Sequence, residues 1–369
     1  MRTTFRLGAL VAALTVSIAA PAMARDNSAF SDSANPLTMA VFGDEPYGTS
    51  PTDTTQFQAT PAYIESINED PDVRAVLDVG DIHSGKQFCT EPYDRSIFDL
   101  WTRFEDPLVY TPGDNEWADC HKTAEGGNVF VNGQPVDYAN GNPVANLALV
   151  RSIFFPDPGR SLGRRDKRVL SQAEAYDTGH PTDANYVENV MWEQSRVLFV
   201  TINLPGGSNN DDDVWYGAAT KTQEQQDEIT QRTGADLRWL DKAFAIARAD
   251  RRITGVVIGA QADMWDPEKG AAHQAGYEPF VSSIATHTTE FAKPVLMFNG
   301  DSHVYQSGNP LSPGDPNYDI HPGYNVANFH RVVVHGSTFP LEWLKLTIGP
   351  RGDVASSDST FGPFSWERM

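Results

Sequence analysis

Four short segments place an acidic side chain directly behind a glycine, each after an apolar run: Phe42-Gly43-Asp44, Val79-Gly80-Asp81, Gly113-Asp114 and Asn299-Gly300-Asp301. The third, preceded by Leu108-Val109-Tyr110, continues at once into Asn115 and Glu116, and the fourth reaches His303 two residues later. A lone Gly-Asp-Asn is an ordinary polar turn. Recurrence behind apolar runs changes its meaning, because in open α/β sheets ligands bind just outside the carboxyl ends of the strands. Carboxylates gathered on one rim repel one another and hold each other's pKa up. The gathering makes chemical sense around divalent cations. Two metal ions bridged by one carboxylate can activate a water and clamp the oxygens of a phosphoryl group.

The elements that must carry these residues can be read from period and punctuation. Leu37 to Gly43 reads as a first strand, Pro61 to Asn68 as a helix and Val73 to Gly80 as a second strand, which is the βαβ unit of a parallel sheet. Ile97 to Phe104 reads as the next helix, leading into the strand at Leu108. Residues 118 to about 190 are rich in Gly, Asn and Pro and weakly periodic, as expected of a site wall or lid. The exception is Val144 to Phe155, where Leu147, Val150, Ile153 and Phe154 fall at helical spacing. Arg196 to Ile202 reads as a strand. Thr222 to Asp250 reads as a helix, with Thr222 and Gln225 in capping-box register and Gly234 dividing it. Its buried stripe is expected to be Leu237, Leu240, Phe244 and Ala247. Ile253 to Gly259 and Val295 to Asn299 are further core strands, and His330 to Val334 and Leu344 to Ile348 read as late strands of a second sheet. Asp211-Asp212-Asp213 lacks the spaced ligands of a calcium loop and is expected to be exposed. The basic run Arg164 to Arg168 is expected to be a solvated loop, a phosphate-steering role being the alternative.

In order and spacing, residues 37 to about 305 resemble the calcineurin-like metallophosphoesterases, which include purple acid phosphatases and many exported phosphodiesterases. The family pattern is an Asp at the first strand end, then Gly-Asp, Gly-Asn-His-Glu, a lone His, and Gly-His-x-His. This chain offers Gly43-Asp44, Gly80-Asp81, Gly113-Asp114-Asn115-Glu116, Gln261 and Gly300-Asp301-Ser302-His303. The resemblance implies an α/β fold, a four-layer αββα sandwich of two packed mixed sheets flanked by helices. It also implies two divalent metal ions: Asp44 and His303 on the first, Asp81 bridging, and Asp114 and Asp301 on the second. Gln261 stands at the lone-His position, with Asp263 as second choice. Pro46 stands where the family often has a further His, and Asn115 where it has the catalytic one. The exchanges at Asn115, Gln261 and Asp301 trade imidazole for oxygen, which favours Mn²⁺, Mg²⁺ or Ca²⁺ over iron or zinc.

Asn115 can donate a hydrogen bond but no proton. His83 and His121, on loops expected to face the site, are the candidate replacement acids; a structural or solvent-facing role is the alternative for each. Lys86 is a candidate partner for a phosphate oxygen, a plain surface charge being the alternative. The function implied is that of an exported phosphoesterase hydrolysing mono- or diesters of small phosphorylated substrates through a metal-bridging hydroxide. A catalytically silent metal- or phosphate-binding protein on the same scaffold is the alternative. A carbohydrate hydrolase with paired carboxylates does not account for four Gly-Asp ends and His303 together.

Bulk properties agree. Residues 1 to 24 read as a secretory signal, with Arg2 and Arg6 before an apolar core and Ala22-Met23-Ala24 at the cleavage site. Its removal leaves 345 of the 369 residues, secreted or periplasmic, beginning with a Ser- and Asn-rich leader at 25–36 and continuing as the phosphoesterase-like domain at 37–369. No later run has the roughly 18 apolar residues of a membrane span. The net charge of −21 becomes −23 without the two arginines, which argues against nonspecific nucleic-acid binding. The two cysteines, Cys89 and Cys120, follow Asp81 and Asp114 at similar offsets. In an oxidising compartment they are expected to form a disulfide between adjacent loops, two free buried thiols being the alternative.

Overall fold

The computed structural model describes residues 29–30, 34–51, 53–337, 341–349 and 359–369. The expected signal at 1–24 lies outside these residues, as does part of the expected leader. Ala29 and Phe30 are not loose: the Ala29 carbonyl accepts the Glu193 N–H at 3.0 Å, and Phe30 pairs alongside Glu193.

Nearly continuous apolar runs build two mixed sheets whose central strands are buried on both faces, with successive side chains pointing to opposite sides. In the first sheet, Leu37–Phe42, Val73–Asp78 and Leu108–Tyr110 run parallel, and Leu344–Ile348 lies antiparallel on the other side of Leu37–Phe42. In the second, Val197–Thr201, Gly255–Gly259, Val295–Asn299 and Phe329–Val333 run parallel, with antiparallel strands at both edges. Leu37, Met39 and Val41 share a buried cluster with Val197, Phe199, Val257, Leu296 and Phe298, so the two sheets pack face to face. The alternate residues face helices. Ala40, Phe42 and Val76 pack on Thr55–Asn68, Glu91–Trp101 and Pro143–Phe154. Leu198, Val256, Val295 and Met297 pack on Gln223–Ala249 and Glu278–Phe291. The result is the expected αββα layering.

Several boundaries differ from the sequence reading, each for a physical reason. The first helix begins at Thr55 rather than Pro61, which lies inside it. Pro inside a helix costs about 3 kcal/mol, and burial of Tyr63, Ile64 and Ile67 on the first sheet offsets it. Gly234 does not divide its helix, which runs unbroken from Gln223 to Ala249. Thr222 Oγ1 caps the Gln225 N–H at 3.1 Å, but the Gln225 side chain turns to Trp215, Asn210 and Asp213 instead of completing a box. In the expected stripe Leu237 is only partly buried, while Trp239 and Ala243 join the core. The two late strands separate: Phe329–Val333 joins the second sheet, whereas Leu344–Ile348 returns to the first. The basic run is paired with local acids such as Glu105, as expected of a solvated loop.

Candidate metal centre

The strand ends converge as the repeated motif requires, and the motif's composition has a local cause. Asp44, Asp81, Asp301 and His303 all adopt left-handed backbone, with φ of 56°, 61°, 74° and 60°. The chain turns sharply off each strand there, and Asp tolerates that region better than most residues. Two of the glycines make room for a neighbouring carboxylate rather than their own. A Cβ on Gly113 would lie 2.0 Å from Asp81 Oδ1, and one on Gly300 would lie 2.3 Å from Asp44 Oδ2.

Asp81 is the hub. Its Oδ2 accepts hydrogen bonds from Tyr47 Oη (2.7 Å), Asn115 Nδ2 (3.1 Å) and Gln261 Nε2 (3.1 Å). Asn115 Nδ2 also donates to Tyr47 Oη at 2.9 Å, so both of its hydrogens are engaged. Gln261 is wholly buried; its Nε2 also donates to Asp114 Oδ1 at 3.0 Å, and its Oε1 accepts the Gly206 N–H at 2.8 Å. Asp44 Oδ1 accepts the Asp301 N–H at 2.9 Å and lies 3.7 Å from His303 Nε2. Asp44 Oδ2 is buried without a hydrogen-bond partner.

Burial dominates the electrostatics. It raises the pKa of Asp44 against the pull of His303, and raises Asp81 and Asp301 well above the carboxylate range, with Asp114 adding to both. Asp114 is pushed up to about 7 by burial and by the neighbouring Asp119. Buried carboxylates without compensating charge are costly. Asp44, Asp81 and His303 each offer a ligand atom, all within 4.8 Å of one another, so these three residues fit a cation.

A cavity of about 510 Å³ opens over this floor, lined by Asp81, Asp114, Asn115, Asp301 and His303 and by Lys86, Lys122, Lys269 and His273. Lys122 is held by Asp119 at 2.6 Å and Asp213 at 2.7 Å, so the Asp211–Asp213 run is not simply exposed: Asp213 forms part of the wall. His83 and His121 do not line the cavity. His83 Nδ1 meets the Ser84 carbonyl at 3.2 Å, and His121 Nδ1 accepts the Tyr216 N–H at 3.1 Å. Burial pushes each imidazole down to about 4. Asp263, the second choice to Gln261, is committed to a buried ion pair with Arg331.

Tyr47, Lys122, Lys269, His273 and Asp213 escape the sequence reading. Tyr47 had a usable signal, three residues past Asp44 on the same strand-end loop; its ring edge lies against His303, with centroids 5.1 Å apart.

Cys89 and Cys120 form the expected disulfide, tying the loops that follow Asp81 and Asp114. Closing a loop with a sequence separation of 31 is worth about 3–4 kcal/mol in the chain-entropy model. Urea unfolding of the Cys89→Ser/Cys120→Ser double variant should show a loss of that order. A loss under about 1 kcal/mol would mean the loops are held by their other contacts.

No protein-family model and no curated protein matches this sequence. Among solved structures, a purple acid phosphatase isolated from yellow lupin (Lupinus luteus) seeds is similar at 13% identity and a TM-score of 0.43. The match covers 86% of this chain and 50% of that one, so this chain spans about half the length of the lupin protein.

Proposed function

We propose that the chain is an exported, metal-dependent phosphoesterase working in the cavity above Asp44, Asp81, Asp114, Asp301 and His303. One observation carries the reading: a buried carboxylate floor that calls for positive charge lies beneath walls bearing Lys86 and Lys269. A phosphate ester needs both features, a cation at the reacting centre and positive groups to draw in its anionic oxygens. When bound, a divalent cation on Asp44, Asp81 and His303 supplies Lewis-acid polarisation of water and of a phosphoryl oxygen.

The chain's own residues do the rest. Lys86 and Lys269 attract and orient the phosphoryl group, whereas Lys122 is largely neutralised by its two carboxylates. Tyr47 gives its hydroxyl hydrogen to Asp81, Asn115 divides its two amide hydrogens between Asp81 and Tyr47, and together they fix the orientation of that carboxylate. Neither His83 nor His121 lines the cavity to supply a proton to a leaving group. The disulfide supports an oxidising compartment. Among the described residues, no helix is long and apolar enough to cross a membrane.

The test is turnover of para-nitrophenyl phosphate and bis-para-nitrophenyl phosphate by chelator-treated protein. Turnover should return with Mn²⁺, and with Mg²⁺ or Ca²⁺ as hard alternatives. Tightly held iron and zinc in the purified protein would count against this ligand chemistry. The saturation of Asp81 Oδ2 by three donors favours the second reading, a silent binding protein. That reading predicts retention of Mn²⁺ and phosphate without turnover of either ester.

A further inference from the structure

Resting on the reading that this floor holds a cation, we propose that the centre is built for one metal ion and that the Gln261 carboxamide stands in for a second. The amide's orientation is set by the backbone. Gly206 donates its N–H to Gln261 Oε1 at 2.8 Å, which leaves Nε2 facing the two carboxylates, 3.1 Å from Asp81 Oδ2 and 3.0 Å from Asp114 Oδ1. Turning the amide over would set its NH₂ against the Gly206 N–H, donor against donor, and break three hydrogen bonds at a wholly buried residue.

The two amide hydrogens therefore occupy the space between Asp81 and Asp114, where a bridged second cation would need electron pairs. They carry partial positive charge and reduce the repulsion between these carboxylates without any ion. On the other side, Asp44 Oδ2 is buried and unpartnered, and Asp44, Asp81 and His303 offer ligand atoms within 4.8 Å of one another. Among the described residues no comparable group of three His, Cys, Asp or Glu ligands forms on Asp114 and Asp301. The one cation sits on Asp44, Asp81 and His303. Asp114 and Asp301 are acceptors around it.

The experiment is metal stoichiometry on the chelator-treated full-length protein, by calorimetry with Mn²⁺ and by elemental analysis after dialysis. Wild type should take up one equivalent and give the EPR spectrum of an isolated Mn²⁺ ion. Two equivalents, or the spectrum of an exchange-coupled pair, overturns the proposal. No uptake at all overturns it together with the metal-dependent reading of function, so the two failures are distinguishable. Asp44→Asn should weaken binding by at least about tenfold, the scale of losing a metal-site residue, while Asp114→Asn keeps the single equivalent. Loss of that equivalent in Asp114→Asn would make Asp114 a ligand and sink the assignment. Gln261→Glu, which replaces the amide hydrogens with a carboxylate oxygen while keeping an acceptor for Gly206, should raise the count to two. A folded Gln261→Glu protein that still binds one ion would show that the amide is not what excludes the second.

Discussion

Asp81→Asn is expected to lower kcat/KM for an aryl phosphate by at least about 10³-fold, equivalent to about 4 kcal/mol of barrier, and to weaken Mn²⁺ binding with it. Asp81 is the one carboxylate that belongs to the group able to hold a cation and also receives hydrogen bonds from Tyr47, Asn115 and Gln261. Asparagine removes the charge and turns half of the acceptor into a donor. Either its NH₂ faces three existing donors, or its oxygen does and the cation loses an anionic ligand. Each unmet buried hydrogen-bonding group costs about 1–3 kcal/mol, so kinetics must be accompanied by a melting curve showing that the variant is folded. A folded variant retaining more than about a tenth of wild-type turnover would remove Asp81 from the reaction.

The metal-free protein should lose stability as pH rises from about 4 to about 8. An unfolded Asp titrates near 3.8, whereas burial and Asp119 push Asp114 up to about 7 in the native state. Between those values the folded chain binds a proton that the unfolded chain has released, so stability falls with increasing pH. The contribution is intact below about 4 and is lost once pH passes through about 7. Three pKa units correspond to about 4 kcal/mol at most for this one group. Asp44, Asp81 and Asp301 are shifted in the same direction. Denaturation in chelator across this range should show the decline, and Asp114→Asn should flatten it. Adding Mn²⁺ should restore stability at the alkaline end, because bound metal replaces the proton as counter-charge. Equal stability at pH 5 and pH 8 without metal, or an unchanged slope in Asp114→Asn, would contradict the assignment.

The carboxylate floor was legible because its signal is local. An apolar run followed by Gly-Asp records a strand, a sharp turn and an acid within a few residues; Asp44, Asp81 and Asp301 follow that rule, and Asp114 follows its strand through Thr111-Pro112-Gly113. The walls carry no such record. Lys269 and Asp213 reach the cavity on loops and His273 on the short helix Ala271–Gln274, and their paths depend on distant contacts such as that of Asp212 Oδ2 with His273 Nδ1 at 2.7 Å. Gln261 could be located by its place after a strand, but nothing in the sequence orients its amide; the Gly206 N–H does that. Gly234 was misread because a helical glycine costs only about 1 kcal/mol, less than the burial of Trp239, Leu240 and Phe244 on the same helix recovers. Alternation in Leu344–Ile348 identified a strand, but a strand's pattern does not name its partner.

That partner gives the fold an order of completion. Leu37–Phe42, which ends at Asp44, is flanked by Val73–Asp78 on one side and by Leu344–Ile348 on the other, with Leu37 opposite Ile348. A chain emerging from its amino end therefore makes this strand long before Leu344–Ile348 and leaves one of its edges open in the interval. Such an edge is a template for wrong pairing, and contacts between distant residues are slow to form. The same connectivity ties two distant parts of the chain together: Phe364–Arg368 secures Leu344–Ile348, which in turn secures the strand that carries Asp44.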